Sequence, residues 1–470
     1  MKKPNNVDAS GQPMVFFVTS LGAFMGSLDL SIVNVAFPAL ERSFSGDSRA
    51  LLAWIITGYS IVFGAFLVAA GRAADRLGRK RVFSIGMIVF VVGSVACAAS
   101  PDLAGLIAGR LVQGVGAAAM LPSSLGLLLD AYPAERRSQV VATWGGVGAL
   151  AVATGPTLGA LLISAGGWRL VFLVNVPIAA LALAMGKGSL PDVRPDPSLD
   201  QPDYLGVVLV TVSAASLVLA ISEGPTWGWS SFPVILGFVV SVGLGNWFVR
   251  RSSHHANPIL NMELFRSRSF SVSNLATLVY AMGFFAMLLG NILFLTTVWH
   301  YSILQAGLSV TPSPIVVSIV SRQAGKLASR FGFRPVVLAG GVIFAAGLLY
   351  FPLMTSMHSN YLADWLPGTL VVGLGIGLTF PVLGAAAVSS LAKEFYAVGG
   401  AVGQTARQIG GAIGVAILVV ILGVNSTLSD FRHLWFFCAT MALVTALLAI
   451  ALTNETGPRG DNIAVQSGDI

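Results

Sequence analysis

Apolar stretches of helical length recur along nearly the whole chain, and only short gaps separate them. Because a helix needs about 20 mostly apolar residues to cross roughly 30 Å of hydrocarbon, this pattern predicts a chain that crosses a bilayer many times. Composition agrees, since 55% of the 470 residues are hydrophobic and only 10% are charged, too few to cover a water-soluble globule. The sequence therefore predicts an all-α polytopic membrane protein without extramembrane domains.

Turn signals and charges divide the chain into fourteen predicted transmembrane helices. The expected domains are an N-terminal six-helix bundle (1–187), a linker with two inserted transmembrane helices (188–268), and a C-terminal six-helix bundle with a short cytoplasmic tail (269–470). The tenth predicted helix contains Pro312, Pro314 and Arg322, and without it every later helix would be inverted. The first apolar stretch contains Asp29 and no clear cleavage site, so it is expected to remain as a helix.

The positive charges predict which ends of the helices face the cytoplasm. With a cytoplasmic N-terminus, 20 of the 27 Lys and Arg lie on the inner side, and three, Arg110, Arg322 and Arg407, lie within helices. Both termini are therefore predicted to be cytoplasmic, and the net charge of +7 reflects topology rather than nucleic-acid binding. The two cysteines fall inside apolar stretches and suggest no disulfide framework.

Two sequence echoes indicate an internal repeat of six helices. The loop after the second helix has glycines seven residues apart at Gly71 and Gly78, and the loop after the tenth repeats that spacing at Gly325 and Gly332. The second echo has identical spacing in the fourth and twelfth helices and joins Arg110, Gly114, Gly116 and Pro122 to Thr369, Gly373, Gly375 and Pro381. Parallel repeats of this kind build transporters whose site lies between the two halves.

Four motifs make the resemblance to a family specific. The first helix reads LDLSIVNVAFP from Leu28, the next loop reads GRAADRLGRKR from Gly71, and the fourth helix reads RLVQGVG from Arg110. The fifth helix supplies Gly148 and then Gly155, Pro156 and Gly159. Over essentially its whole length, the chain resembles the fourteen-helix drug/proton antiporter branch of the major facilitator superfamily, with Ser31, Phe37 and Ala73 departing from its motifs.

The resemblance implies two six-helix bundles plus two inserted helices. It also implies a proton-coupled antiporter that exports drug-like molecules across the bacterial inner membrane by alternating access and confers antibiotic resistance. It assigns a charge relay that latches the outward-facing state to Asp75, Arg79 and Asp130. Asp29 and Arg110 are the candidate proton-coupling pair. The glycines that frame that loop are Gly71 and Gly78. Asn34, Gln113, Gln404 and Arg407 are the candidate substrate-cavity residues.

The depth of Asp29 supports a coupling role. Helical rise places it about 22 Å above the inner end of its helix, and Arg110 about 10 Å below the outer end of its own, so the two lie at similar depth. A motion that changes their separation would switch Asp29 between holding and donating a proton. The alternative is a buried structural ion pair.

Structural roles without a part in transport remain alternatives for the other motifs. The loop cluster could mark topology only, the glycines of the fifth helix could merely permit close helix packing, and Gln404 with Arg407 could be a structural tie. The sharper hypothesis for Pro156 is that it frees a backbone carbonyl and bends the helix, so that an outer gate can seal.

Missing motifs constrain the energy source of transport, and the residues expected to line the cavity constrain the class of substrate. It contains no phosphate-binding ATP loop and no His/Cys cluster, so an ion gradient is expected to drive transport, without metal or cofactor. The expected partners are protons, membrane lipids and an amphipathic, often cationic small molecule, bound by a monomer without nucleic acid. A nutrient importer, a lipid exporter and a membrane enzyme remain alternatives, although no catalytic constellation supports the enzyme.

Overall fold

The computed structural model describes residues 11–191, 203–255, 258, 262–389, 391, 396–423 and 425–452, and these residues are almost entirely helical. The helices are α1 Gln12–Ser43, α2 Arg49–Leu77, α3 Arg79–Ala99, α4 Leu103–Ala131, α5 Ala134–Gly166, α6 Arg169–Ser189, α7 Tyr204–Trp227, α8 Phe232–His254, α9 Arg268–Thr297, α10 Ile303–Phe331, α11 Phe333–Met354, α12 Tyr361–Ser389, α13 Tyr396–Leu422 and α14 Leu428–Ala449. The predicted all-α membrane protein is confirmed. Most of the predicted tail, the first ten residues and residues 192–202, 256–257 and 259–261 of the predicted linker lie outside the described residues.

Thirteen of the helices in this part of the chain are long and apolar enough to cross a membrane. The exception is α5, in which the apolar part is the shorter segment Leu150–Gly166. The predicted count of fourteen crossings depends on α5 and, like the sidedness of the termini, stays a prediction. The predicted tenth helix is present, because Pro312 starts a new helical segment at the first turn, where the missing N–H is not needed.

The packing of helix pairs repeats in the two halves. A Cβ on Gly116 of α4 would collide with the backbone of Phe90 on α3, and a Cβ on Gly375 of α12 would collide with the backbone of Phe344 on α11. The two phenylalanines are related by the offset of the loop echo and the two glycines by the offset of the helix echo. Small residues at these positions let the helix backbones approach closely, so both halves use one packing design.

Helix α1 forms the centre of the first half, and its residues from Ser31 to Leu40 are all buried. It packs against α4, α5 and α6, and it also contacts α9 and α10 of the second half. The inserted helices α7 and α8 pack on each other, and α7 additionally contacts α2 and α13. The predicted division into domains at residues 187 and 268 stays a prediction.

Candidate functional site

Asp29 of α1 and Arg110 of α4 form a buried ion pair. Nη1 of Arg110 donates to Oδ2 of Asp29 at 2.6 Å, and the two side chains are 1% or less exposed. The similar depth inferred from helical rise thus corresponds to direct contact. Because an unpaired charge would be costly at this position, the pair is stable only while both charges are satisfied.

The Arg110 guanidinium is further held by neutral groups. Its Nε donates to the carbonyl of Ile55 at 2.8 Å, its Nη1 also donates to Oε1 of Gln113 at 2.9 Å, and its guanidinium lies 4.0 Å from the centre of the Tyr59 ring. Gln113 in turn donates to Oδ1 of Asp29 at 3.3 Å. Gln113 is therefore a member of the ion-pair network, and it is fully buried there.

A hydrogen-bonded chain continues from Gln113 across α3 to α6. The amide of Gln113 donates to Oγ of Ser94 at 2.5 Å, and Asn175 donates to the same hydroxyl at 3.0 Å. Sequence reasoning did not assign Ser94 or Tyr59 to the site. The sequence does show Ser94 as an isolated polar residue in the apolar helix α3, at the depth of Arg110. That position alone does not identify its hydrogen-bond partner.

The predicted latch residues also meet. Arg79, at the start of α3, donates to Asp75 at 2.9 Å and to Asp130 at 2.7 Å, and it reaches the carbonyl of Gly126 at 3.2 Å. Gly78 ends α2 with a φ of 97°, a backbone conformation that favours glycine. These bonds join α2, α3 and α4 at the ends predicted to face inward, all within the first six helices. Gly71 lies in the last turns of α2, where a Cβ would meet Pro122 of α4.

Pro156 in α5 has a consequence on α1. Proline has no N–H, so the carbonyl four residues earlier, that of Val152, lacks its usual helical donor. The hydroxyl of Ser31 donates to that carbonyl at 3.0 Å. The predicted freed carbonyl therefore lies in a contact with α1, two residues from Asp29.

The glycines of α5 permit this approach to different degrees. A Cβ on Gly155 would come within 2.5 Å of Oγ of Ser31, and one on Gly159 within 2.7 Å of Ile32. At Gly148 the nearest atom, Oγ of Ser27, would be 3.1 Å away. Two of the three glycines are thus required for the present packing of α5 on α1, which the packing alternative also explains.

Helix α5 also faces the second half. A Cβ on Gly307 of α10 would lie 2.7 Å from the carbonyl oxygen of Pro156, and the hydroxyls of Thr157 and Thr311 are 2.9 Å apart. Nearer the predicted outer surface, Arg49 binds Glu41 at 2.7 Å and the carbonyl of Gly423 at 2.8 Å. All of these contacts except the Arg49–Glu41 pair, which lies within the first half, join the halves toward the ends predicted to face outward.

The candidate cavity residues of the second half are arranged differently. Arg407 of α13 lies 4.9 Å from the centre of the Phe380 ring, and its inaccessible Nε has no hydrogen-bond partner among the described residues. Gln404 is half-buried one turn away, and no hydrogen bond joins it to Arg407 in the described part of the chain. Asn34, in the first half, is buried and donates to its own helix at the carbonyl of Leu30.

One open groove lies between α5 and α10 and has a volume of about 480 Å³. Its walls are mostly apolar and include Leu158, Thr157, Thr311 and Ile315. None of the four candidate cavity residues lines it. Within the described residues, no group of three or more His, Cys, Asp or Glu could hold a metal ion.

Comparison with known proteins agrees with this architecture. A model of the Major Facilitator Superfamily matches residues 19–415 and 274–467. The multidrug resistance protein Stp of Mycobacterium tuberculosis is 34% identical over 87% of this chain and 76% of its own length. The tetracenomycin C resistance and export protein of Streptomyces glaucescens is 30% identical over 88% of this chain and 76% of its own length.

A solved structure shares the fold. The crystal structure of a D-xylose-proton symporter superimposes with a TM-score of 0.68 at 14% identity, and the match covers 94% of this chain and 98% of that chain. Similarity at that level of identity concerns the fold alone. The chain is therefore a multi-pass transporter of the bacterial inner membrane, not an enzyme, and it belongs to the major facilitator superfamily.

Proposed function

We propose that this transporter exports amphipathic small molecules in exchange for protons that bind at Asp29. The observation that carries the proposal is the buried Asp29–Arg110 pair, which is tied to the α5 proline by the bond between Ser31 and Val152. Asp29 is an acid inside a membrane-spanning helix, where an ionisable group commonly marks a proton or ion pathway.

Protonation of Asp29 would change the balance of forces at this pair. The neutral carboxyl loses most of its attraction to Arg110, whereas Arg110 keeps its bonds to Ile55 and Gln113. Helix α1 then has a weaker hold on α4, and its Ser31 contact can carry the movement to α5. Since α5 contacts α10 at Pro156, the outer contact between the halves becomes sensitive to the protonation of Asp29.

The latch acts on the same equilibrium from the inner side. Arg79, Asp75 and Asp130 join α2, α3 and α4 at the ends predicted to face inward, so they favour the conformation of the first bundle in which these three ends meet. The contacts of Arg49 and of Thr157 with the second half favour a closed outer side. A transporter that alternates between two states needs such contacts on each side, and their strengths set the populations.

Export rather than import is supported by the relatives. The fold itself does not decide, because a D-xylose-proton symporter shares it. The names of the similar Mycobacterium and Streptomyces proteins concern multidrug resistance and tetracenomycin C export. We infer that this protein also exports its substrates and that these are drug-like molecules. Export of a lipid-like metabolite by the same cycle is the second candidate.

Purified protein in proteoliposomes tests this proposal. One inward proton contributes about 2.3 kcal/mol per 100 mV of membrane potential, enough for about a fortyfold substrate gradient. We expect uphill movement of ethidium or 8-anilinonaphthalene-1-sulfonate, opposite in direction to the protons and abolished by a proton ionophore. Movement in the direction of the protons would favour the importer, and ATP-driven movement indifferent to the ionophore would contradict the proposal. A labelled phospholipid serves as the competing substrate.

A further inference from the structure

The second half of the protein is basic within the membrane. From Arg268 to Leu452 the acidic residues are Asp364, Glu394 and Asp430. Asp364 and Asp430 lie in the first turns of α12 and α14, and Glu394 lies outside the described residues. The arginines predicted to lie within the membrane in this half are Arg322, which is exposed, and Arg407, which is half-buried. No carboxylate in the described chain forms an ion pair with either of them.

Arg407 has no hydrogen-bonding or anionic partner among the described residues. Its Nε is inaccessible to solvent and makes no hydrogen bond to any described residue, and its guanidinium rests on the face of Phe380. Arg407 as a whole is half-buried, and a partly desolvated cation without an anion nearby is costly, so a ligand with an anionic group would supply the missing acceptor. This differs from Arg110, whose charge is neutralised by Asp29.

An aromatic wall adjoins Arg407. The rings of Tyr280 and Phe284 are stacked with centroids 5.7 Å apart, and Phe284 stacks on Phe380 at 6.2 Å. Phe284 and Phe380 are only half-buried, so the faces of the stack are not fully covered by protein. Tyr280 is 1% exposed, and its hydroxyl has no partner among the described residues.

These features select a class of ligand. A planar aromatic molecule would extend the stack, and an anionic or strong acceptor group on it would accept from Arg407 and Tyr280. An organic cation would face Arg407 without a carboxylate to offset it. The acid of the first half is not available to such a cation, because Asp29 is bonded to Arg110 and Gln113.

We propose that Arg407, Tyr280, Phe284 and Phe380 form a substrate site for planar aromatic molecules that carry a carboxylate or an equivalent anionic oxygen. This inference rests on the proposed transport function and names the substrate class of its binding site. It replaces the expectation of often cationic substrates. Arg407 supplies the charge, and the ring stack supplies affinity without fixed geometry.

Two fluorescent probes with one ring system test the charge preference. Anthracene-9-carboxylate and the anthracen-9-ylmethylammonium ion differ chiefly in the sign of their charge. Their binding is measured by fluorescence anisotropy on the full-length protein in phosphatidylcholine nanodiscs, with empty nanodiscs subtracted. A charged hydrogen bond in a desolvated site predicts that the carboxylate binds about tenfold tighter or more. Tighter binding of the ammonium ion would overturn the proposal.

Variants locate the preference. Arg407→Gln should weaken carboxylate binding about tenfold and leave ammonium binding unchanged or improved, whereas Arg407→Lys should retain part of the preference. Phe380→Leu should weaken both probes equally. Arg322→Gln removes an exposed arginine of α10 in the same half and is the control, expected to leave the ratio of affinities unchanged. Carboxylate affinity within about twofold of wild type in Arg407→Gln would contradict the site.

The binding experiment can fail or succeed independently of the transport proposal. No proton gradient is applied, so a carboxylate preference lost in Arg407→Gln would stand even if transport proved not to be proton-driven. Conversely, proton-driven export by a protein that prefers the ammonium probe would retain the function and refute this site. If Arg407→Gln does not fold, the wild-type probe ratio and Phe380→Leu still decide.

Discussion

The two halves differ in the arginine that each holds within a predicted membrane span: Arg110 is fully buried and Arg407 is half-buried. Arg110 in the first half is paired with Asp29, a carbonyl and an amide, whereas Arg407 in the second half rests on Phe380 without an anion in the described chain. The halves nevertheless share their glycine-mediated packing. At the positions of Arg110 and Gln113 the repeat has Thr369 and Val372. A duplicated scaffold has thus kept its packing and separated its polar chemistry, which we assign to the proton in one half and the substrate in the other.

The largest expected difference between the two arginines is in stability. Arg110→Gln leaves Asp29 as a buried carboxylate without its cation, and we expect a loss of about 3–5 kcal/mol in the free energy of unfolding. Arg407→Gln removes an unpaired cation and should cost little. Denaturant unfolding of both variants in the same detergent measures the difference.

A double variant checks the cause. Asp29→Asn combined with Arg110→Gln should recover at least half of the lost stability, since no buried charge remains unpaired. Equal destabilisation by Arg110→Gln and Arg407→Gln would break the comparison, because it would mean that both arginines are satisfied structural groups.

A smaller effect is expected at the contact between α1 and α5. Ser31→Ala removes the donor to the Val152 carbonyl, which Pro156 already deprives of its helical bond, and should cost about 1–3 kcal/mol of stability. Ser31→Thr keeps a hydroxyl and should behave as wild type. Thr154→Ala, on α5 near Val152, is the control, because the Thr154 hydroxyl donates only to nearby carbonyls of its own helix. Equal effects of Ser31→Ala and Thr154→Ala would remove the link between Asp29 and the proline.

The latch should give the smallest effect. Arg79 is 31% and Asp75 is 47% exposed, so solvent screens their pair, and Arg79→Ala should shift the ratio of the two states by about fivefold at most. Labelling of a cysteine introduced at Ser45 on the predicted outer side reports the shift. The native Cys97 and Cys438 are buried and can stay.

Salt and a neighbouring arginine provide the controls for the latch. High salt should reduce the difference between Arg79→Ala and wild type, because screening weakens exposed pairs. Arg76→Ala removes a nearby arginine in the last turn of α2 and should leave the labelling unchanged. Unchanged accessibility in both Arg79→Ala and Asp75→Asn would refute the latch.

The sequence predicted the elements with strong local signals. Hydrophobic length located the helices, and glycine spacing located the turn at Gly78 and the repeat. Helical rise brought Asp29 and Arg110 to one depth. The partners Ser94 and Tyr59 were not predicted, because contacts between helices far apart in the chain depend on rotation about each helix axis. Arg407 was predicted as a polar pair with Gln404, whereas its described contact is Phe380. Nothing in the local pattern of α13 specifies which ring of α12 it meets.

The central claim is that Asp29 couples protons to a substrate bound elsewhere, and Asp29→Asn in proteoliposomes tests it most directly. We compare uphill transport driven by a proton gradient with exchange of labelled for unlabelled substrate at equal pH, using a substrate that the wild type transports. Asp47→Asn, which neutralises an exposed carboxylate, is the control. The account predicts that Asp29→Asn retains exchange but loses uphill transport, because the amide preserves shape and cannot carry a proton. Full uphill transport by Asp29→Asn would contradict it.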